Sequence, residues 1–214
     1  MHMRKLLIPF LGLLIILAGL YYFLPRYSNY HLPVPAIPEK KEKENKVMAK
    51  VKSQAAQGKA FAQSKKLSTQ YAFLIDMSQP SGRYRFFVYD FIKDSIVEKG
   101  LVAHGSCNTS YLEAARFSNT PESGCSSLGK YKVSYSYKGQ FGKAYKLNGL
   151  DSTNSNAFKR FVVLHAYDCV PDQEVYPQPI CNSLGCPMVS YDFLARLSNY
   201  IDKSPRPILL WIYQ

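Results

Sequence analysis

From residue 67 onward the chain is a succession of short runs rich in Phe, Tyr, Val and Ile, each closed by a turn, and few architectures accept that pattern. Residues 71–77, 84–90 and 96–103 are three such runs, separated by Pro80-Ser81-Gly82 or by charged residues. Aromatic and β-branched side chains in short segments fit a pleated, half-buried surface, so each run reads as a strand. Residues 130–137 alternate cleanly, with Tyr131, Val133, Tyr135 and Tyr137 on one face. Residues 161–166 form a compact apolar run ending beside a histidine, and residues 208–213 supply a closing strand. Between these two, Ser190 occupies an N-cap position. Behind it Phe193, Leu194, Leu197, Tyr200 and Ile201 recur at helical spacing. Many strands and few helices predict a mainly β domain, built as a sandwich or a barrel-like sheet. No internal repeat is visible.

The N-terminal third is different. Residues 6–24 are an apolar run broken only by Pro9 and two glycines, about the ~20 residues that cross a bilayer. Arg4 and Lys5 precede it, which favours a cytoplasmic N-terminus, and Tyr21, Tyr22 and Phe23 lie at its far end, where aromatic rings prefer the interface. No small-x-small cleavage site follows, so an uncleaved transmembrane helix is expected rather than a removed signal sequence. Residues 31–38 are a Pro-rich spacer. Residues 39–66 are rich in Lys, Ala and Gln and read as a solvated helix or tether. The expected organisation is thus an anchor or signal sequence at 1–25, a linker at 26–66 and a catalytic domain at 67–214. The globular part would be exported, in the periplasm or cell envelope, and held at the inner membrane.

The formal charge of +12 suggests nucleic acid until it is located. About +9 of it falls in residues 1–66 and about +3 beyond them. A nucleic-acid-binding domain carries its own basic face, so no nucleic-acid partner is expected.

Five cysteines leave at least one thiol unpaired within the chain. Each could be a buried apolar cysteine. An exported chain could instead pair Cys107 with Cys125 and Cys169 with Cys181, leaving Cys186 free; spacing does not decide between these.

His165 ends a buried run, and Asn182-Ser183-Leu184-Gly185-Cys186-Pro187 lies downstream. A cysteine in such a turn, with a histidine on a neighbouring strand, suits a nucleophile and its base. A free thiol is mostly protonated at neutral pH, and an imidazole can hold it as a thiolate. Gly185 allows a tight turn and the presentation of amide N–H groups to a tetrahedral oxyanion. A core histidine and a structural cysteine would look the same from spacing alone.

These residues resemble the signature of the murein L,D-transpeptidase catalytic-domain family, a histidine followed after a spacer by Ser/Thr-x-Gly-Cys. His165 and Ser183-Leu184-Gly185-Cys186 carry it, with Pro187 as in the Ser-x-Gly-Cys-Pro subfamily. Phe73-Leu74-Ile75-Asp76, Ala103-His104-Gly105, Arg116-Phe117-Ser118-Asn119, Ser127-Leu128-Gly129 and Asn148-Gly149-Leu150-Asp151 are similar to it as well. The resemblance spans about residues 67–214. It implies an L,D-transpeptidase-type β fold and a peptidoglycan stem-peptide substrate. It also implies catalysis through a Cys186 thioester, with L,D-carboxypeptidase activity where water replaces the acceptor amine. Two positions depart from the pattern: Leu184 stands where many members have histidine, and Asn182 where the subfamily often has a basic residue.

Other polar positions are candidates for substrate contact: His104, Ser118, Asn119, Tyr145, Arg160 and Ser183. Each could equally be structural, as Ser118 and Asn119 would be in a turn. Asp168 could orient His165, although the resemblance implies a backbone carbonyl for that role. No metal and no cofactor is expected, because His104 and His165 alone do not make a zinc set. Serine hydrolase chemistry is not expected, because no Gly-x-Ser-x-Gly elbow appears. The competing function is a non-catalytic, envelope-anchored peptidoglycan-binding protein on a decayed enzyme fold.

Overall fold

A computed structural model describes Tyr21 and residues 37–214, of which Val47–Gln214 forms one compact unit. The expected anchor lies almost entirely outside the described residues. Among those residues no helix is long and apolar enough to cross a membrane.

The unit is built on one eight-stranded mixed sheet. The strands are β1 (Tyr71–Asp76), β2 (Phe86–Asp90), β3 (Ser95–Gly100), β4 (Gly129–Gly139), β5 (Gly142–Gly149), β6 (Val163–Ala166), β7 (Met188–Val189) and β8 (Leu209–Tyr213). Their order across the sheet is β3-β2-β1-β8-β4-β5-β6-β7. β8 is central, parallel to β1 and antiparallel to β4. The chain that continues β3 also reaches the far edge: the Ala103 N–H donates to Met188 O at 2.8 Å, and Ala103 bridges Met188. Within the compact unit and the helix that leads into it, the described architecture is therefore mainly β with two α-helices. The sandwich expectation gives way to a single sheet whose two edge regions are bridged, because β8 joins the β1–β3 half to the β4–β7 half.

Strand alternation sorts side chains onto two faces. Phe73, Ile75, Val88, Tyr131, Leu147, Leu164, Leu210 and Ile212 form the larger core. Helix α2 (Tyr191–Lys203) closes it with Phe193, Leu194 and Leu197; Tyr200 and Ile201 pack at its margin. Ser190 caps this helix as expected, its Oγ accepting from the Phe193 N–H at 3.1 Å.

On the other face, Leu74, Phe87, Tyr89 and Leu209 meet helix α1 (Ile37–Ser64). Ala, Lys, Gln and Glu are strong helix formers, which accounts for its 28 residues. Within the expected linker, the described helix is not wholly solvated. Val51, Ala55 and Ala62 are fully buried, with Val47 and Phe61 packed beside them. This stripe is made of small side chains at intervals of four and seven residues, so it adds little to mean hydropathy although it covers one side of the sheet.

A second difference concerns β4. The register slips by one residue between Val133 and Ser136. Such a bulge moves the following side chains to the opposite face. Tyr131 and Val133 are in the core, whereas Tyr135 and Tyr137 are exposed.

Candidate active site

β6 positions the histidine. Leu164 and Ala166 point into the core, so Val163 and His165 take the opposite face. The His165 Nδ1 lies 3.0 Å from Ala166 O. A carbonyl only accepts, so Nδ1 carries the proton and the Nε2 lone pair is left as a base. Phe141, at the β4–β5 turn, stacks on the imidazole with ring centroids 4.5 Å apart, and Tyr167 meets Phe141 edge-on.

β7 runs parallel to β6, pairing Met188 with His165. Cys186 precedes β7 by two residues and therefore comes beside Val163, whose N–H donates to Sγ at 3.5 Å. The thiol faces Phe161 O at 3.9 Å. No hydrogen bond joins Cys186 to His165. The other four cysteines form the disulfides Cys107–Cys125 and Cys169–Cys181, so Cys186 is the free thiol, and it is partly exposed.

The turn before Cys186 is held by its neighbours. Gly185 has φ +112°, a left-handed conformation, and a Cβ there would lie 2.6 Å from Cys125 O. Only glycine meets both conditions without strain. The Gly185 N–H donates to Ser183 Oγ at 3.0 Å, so it is committed within the turn and is not free to face an oxyanion. The Gly185 carbonyl accepts from Ser126 Oγ at 3.2 Å, and that oxygen in turn accepts from the Gly105 N–H. Ser183 is buried and is tied on both sides of its peptide, its N–H donating to His104 O and its carbonyl accepting from the Ser106 N–H.

Asn182 and His104 extend this network. The Asn182 Oδ1 accepts from the Leu112 N–H at 2.6 Å, and its Nδ2 donates to Leu112 O at 2.9 Å. His104, fully buried, receives Arg85 Nη2 on Nδ1 at 2.9 Å and reaches Leu112 O through Nε2 at 3.0 Å. Arg85 is itself buried and donates through Nε and Nη2 to Val102 O.

Burial sets the protonation states. It pushes the Cys186 thiol up, against the opposing pull of the Val163 N–H and of the Lys146 and Arg160 charges. It pushes His165 down, opposed by the Ala166 carbonyl. At neutral pH the resting pair is a thiol and a neutral imidazole.

A model of the L,D-transpeptidase catalytic domain matches residues 42–213. The chain belongs to that family. No curated protein matches it. Among solved structures, the L,D-transpeptidase from Xylanimonas cellulosilytica is 15% identical, with 67% of this chain and 60% of that one covered and a TM-score of 0.37. The L,D-transpeptidase from Mycobacterium smegmatis is 12% identical over 68% and 59%, with a TM-score of 0.40. The cell shape determining protein Pgp2 from Campylobacter jejuni is 11% identical over 68% and 47%, with a TM-score of 0.44. The chain thus spans less than two thirds of the length of each.

Within this L,D-transpeptidase domain the six candidate contact residues divide. His104 and Ser183 support the Cys186 turn from behind. Arg160 sits beside it, donating to Cys125 O, to Ser118 O at 2.8 Å and to the Ser127 and Ser123 hydroxyls. Ser118 supplies that carbonyl, and its Oγ accepts from the Thr120 N–H. Asn119 fastens the same loop to Ser152, Ser155 and Asn156. Tyr145 corrects an expectation. It is buried on the core face, its hydroxyl donating to Asp202 at 2.8 Å, because β5 alternation turns it away from His165 and Cys186. Asp168 is exposed, and Ala166 O occupies the position beside Nδ1 that it was considered for.

Lys146 was missed. It pairs with Val163 across β5 and β6 and lies on the Cys186 face. Its proximity was legible only through β5 register, one residue on from Tyr145.

Proposed function

We propose that the chain is a peptidoglycan L,D-transpeptidase acting through a Cys186 thioester, with His165 as its base and acid. The observation that carries this reading is that Cys186 is the one unpaired cysteine of five. It follows a glycine-dependent turn and lies one strand away from an imidazole whose Nδ1 is fixed by a carbonyl.

In this mechanism Sγ turns from Phe161 O toward Nε2 and yields its proton as it attacks the carbonyl that joins the L-centre of diaminopimelate to a terminal D-alanine. Apo catalytic hydrogen bonds commonly tighten only with substrate bound. The Cys186 N–H, which forms no hydrogen bond among the described residues, faces the developing oxyanion in place of the committed Gly185 amide. The carbon–nitrogen bond breaks, and the imidazolium protonates the departing amine. An acceptor amine then attacks the thioester, His165 removes its proton, and the thiol is regenerated. Water in place of the amine makes the same site an L,D-carboxypeptidase.

Two disulfides support an oxidising compartment, the periplasm or cell envelope. In the same reading residues 1–25 anchor the chain in the inner membrane, and the linker ends near Lys46, ahead of the compact unit. The test is mass analysis of muropeptides after incubating the full chain or its Cys186→Ala variant with purified sacculi. New cross-links or shortened stems with the wild type alone are expected. Equal activity in the variant would refute the mechanism.

A further inference from the structure

Lys146 presents a cation that the domain's own groups do not neutralise. Its side chain is only 6% exposed. Its ammonium donates to Phe158 O at 3.2 Å and lies over the Phe158 and Phe161 rings, 4.6 and 4.9 Å from their centroids. An ammonium has three donors, and one carbonyl and two ring faces satisfy it incompletely. No carboxylate lies within ion-pair distance of it among the described residues. A buried charge without a counter-ion is costly, so an anion supplied from outside would bind there favourably.

The position of this cation is specific. Lys146 pairs with Val163, the residue whose N–H meets Cys186 Sγ, and it lies over the ring of Phe161, the residue whose carbonyl faces the thiol. Ammonium and thiol therefore flank the same two residues. The other polar groups nearby are occupied, Asn182 by the N–H and the carbonyl of Leu112 and Arg160 by four oxygen acceptors. The partly exposed Phe158 and Phe161 rings border the ammonium with apolar surface.

We infer that Lys146 is the carboxylate-binding residue of the site, holding the free terminal carboxylate of the donor peptide beside Cys186. This rests on the proposed reaction for the identity of the donor, while the carboxylate preference itself does not. Burial lowers the affinity of Lys146 for its proton, and the neighbouring Cys186 opposes that shift. An incoming carboxylate would act in the same direction as the Cys186 thiolate. The departing group of an L,D-transpeptidation carries such a carboxylate one residue beyond the bond that breaks, so recognising it would select stems with a free C-terminus.

The experiment compares alkylation of Cys186 in the full chain by iodoacetate and by iodoacetamide, a charged and a neutral reagent of nearly the same shape. Each rate is divided by the same reagent's rate with glutathione. The wild type is expected to favour iodoacetate, and Lys146→Gln to lose that preference by about five- to tenfold, the scale of one partly desolvated ion pair. Circular dichroism fixes the folded fraction of the variant, because unfolded chains react without the preference. Equal slowing of both reagents by Lys146→Gln would mean that Lys146 acts on the thiolate and would overturn the inference. Unchanged rates would do the same. If the variant does not fold, the wild-type ratio decides, since no preference over glutathione also overturns it. A carboxylate preference with unaltered sacculi would refute the proposed reaction and leave the site standing. Altered sacculi without the preference would do the reverse.

Discussion

Acid should loosen the support of the Cys186 turn through His104. Its ring accepts from Arg85 at Nδ1 and donates to Leu112 O at Nε2, an arrangement available only to neutral imidazole. Burial first, and the Arg85 charge second, hold its pKa down to about 4, against the opposing Leu112 bond. In the unfolded chain a histidine titrates near ~6.5. Between these values the unfolded state binds the extra proton, so stability is intact above pH ~6.5 and falls as pH is lowered toward about 4. Fully expressed, that difference corresponds to about 3 kcal/mol, of which most is lost by about pH 4.5. For a unit of this size the melting temperature should fall by about 5–10 °C. Carboxylates with depressed values, such as Asp202, release their contribution only at lower pH, so the window belongs to histidine. Thermal melts near pH 7 and near pH 4.5 measure the drop. His104→Gln retains an acceptor for Arg85 and a donor for Leu112 O but does not titrate. His165 is also held low and leaves a common remainder in both proteins. If the wild type and His104→Gln lose the same stability over this interval, His104 is not the acid-sensitive group and the reasoning fails.

Other perturbations of the turn have calculable sizes. Gly185→Ala combines a φ of +112° with a Cβ 2.6 Å from Cys125 O; it should cost about 2 kcal/mol or more and suppress Cys186 alkylation, read by chemical denaturation and mass spectrometry. Asn182→Ala deletes two bonds to Leu112 and leaves its partly buried N–H unpaired, while Leu112 O keeps His104; this should cost about 1–3 kcal/mol and raise amide exchange at Leu112. Reducing Cys107–Cys125, which closes a separation of 18 residues, should cost about 3 kcal/mol in urea titrations and free the Cys125 carbonyl that Arg160 holds. Leu184→His changes a side chain that is 81% exposed, so stability should move by less than about 0.5 kcal/mol.

What could be read from the sequence divides by physical cause. The strands β1, β2, β3 and β8 and the capped helix α2 were legible because their apolar residues are large and periodic, as in Phe73, Ile75 and Leu210 or Phe193 and Leu197. The buried face of α1 was not, because Val51, Ala55 and Ala62 give no strong period against Lys and Gln. β5 was missed for a related reason. Lys143, Lys146 and Asn148 dilute its pattern, and its inward residues Tyr145 and Leu147 are set by pairing with a bulged β4.

The error at Tyr145 follows from that omission and shows how site and fold are coupled. A strand period of two makes a displacement of one residue exchange the core face for the site face. Tyr145 is bonded to Asp202 beneath the sheet, while Lys146, its neighbour, shares the face of Val163 and His165. The same accounting applies to the other candidate contacts, whose hydrogen bonds lie within the domain. A loop that crosses the edge of a sheet must satisfy its own peptide groups, and here Ser183, Asn182, Ser126, Asn119 and Arg160 do so. Polar residues near a nucleophile are therefore weak evidence of substrate contact until their partners are counted. Cys186, the Nε2 of His165 and the ammonium of Lys146 are the groups near the turn whose bonding capacity the loop leaves in reserve.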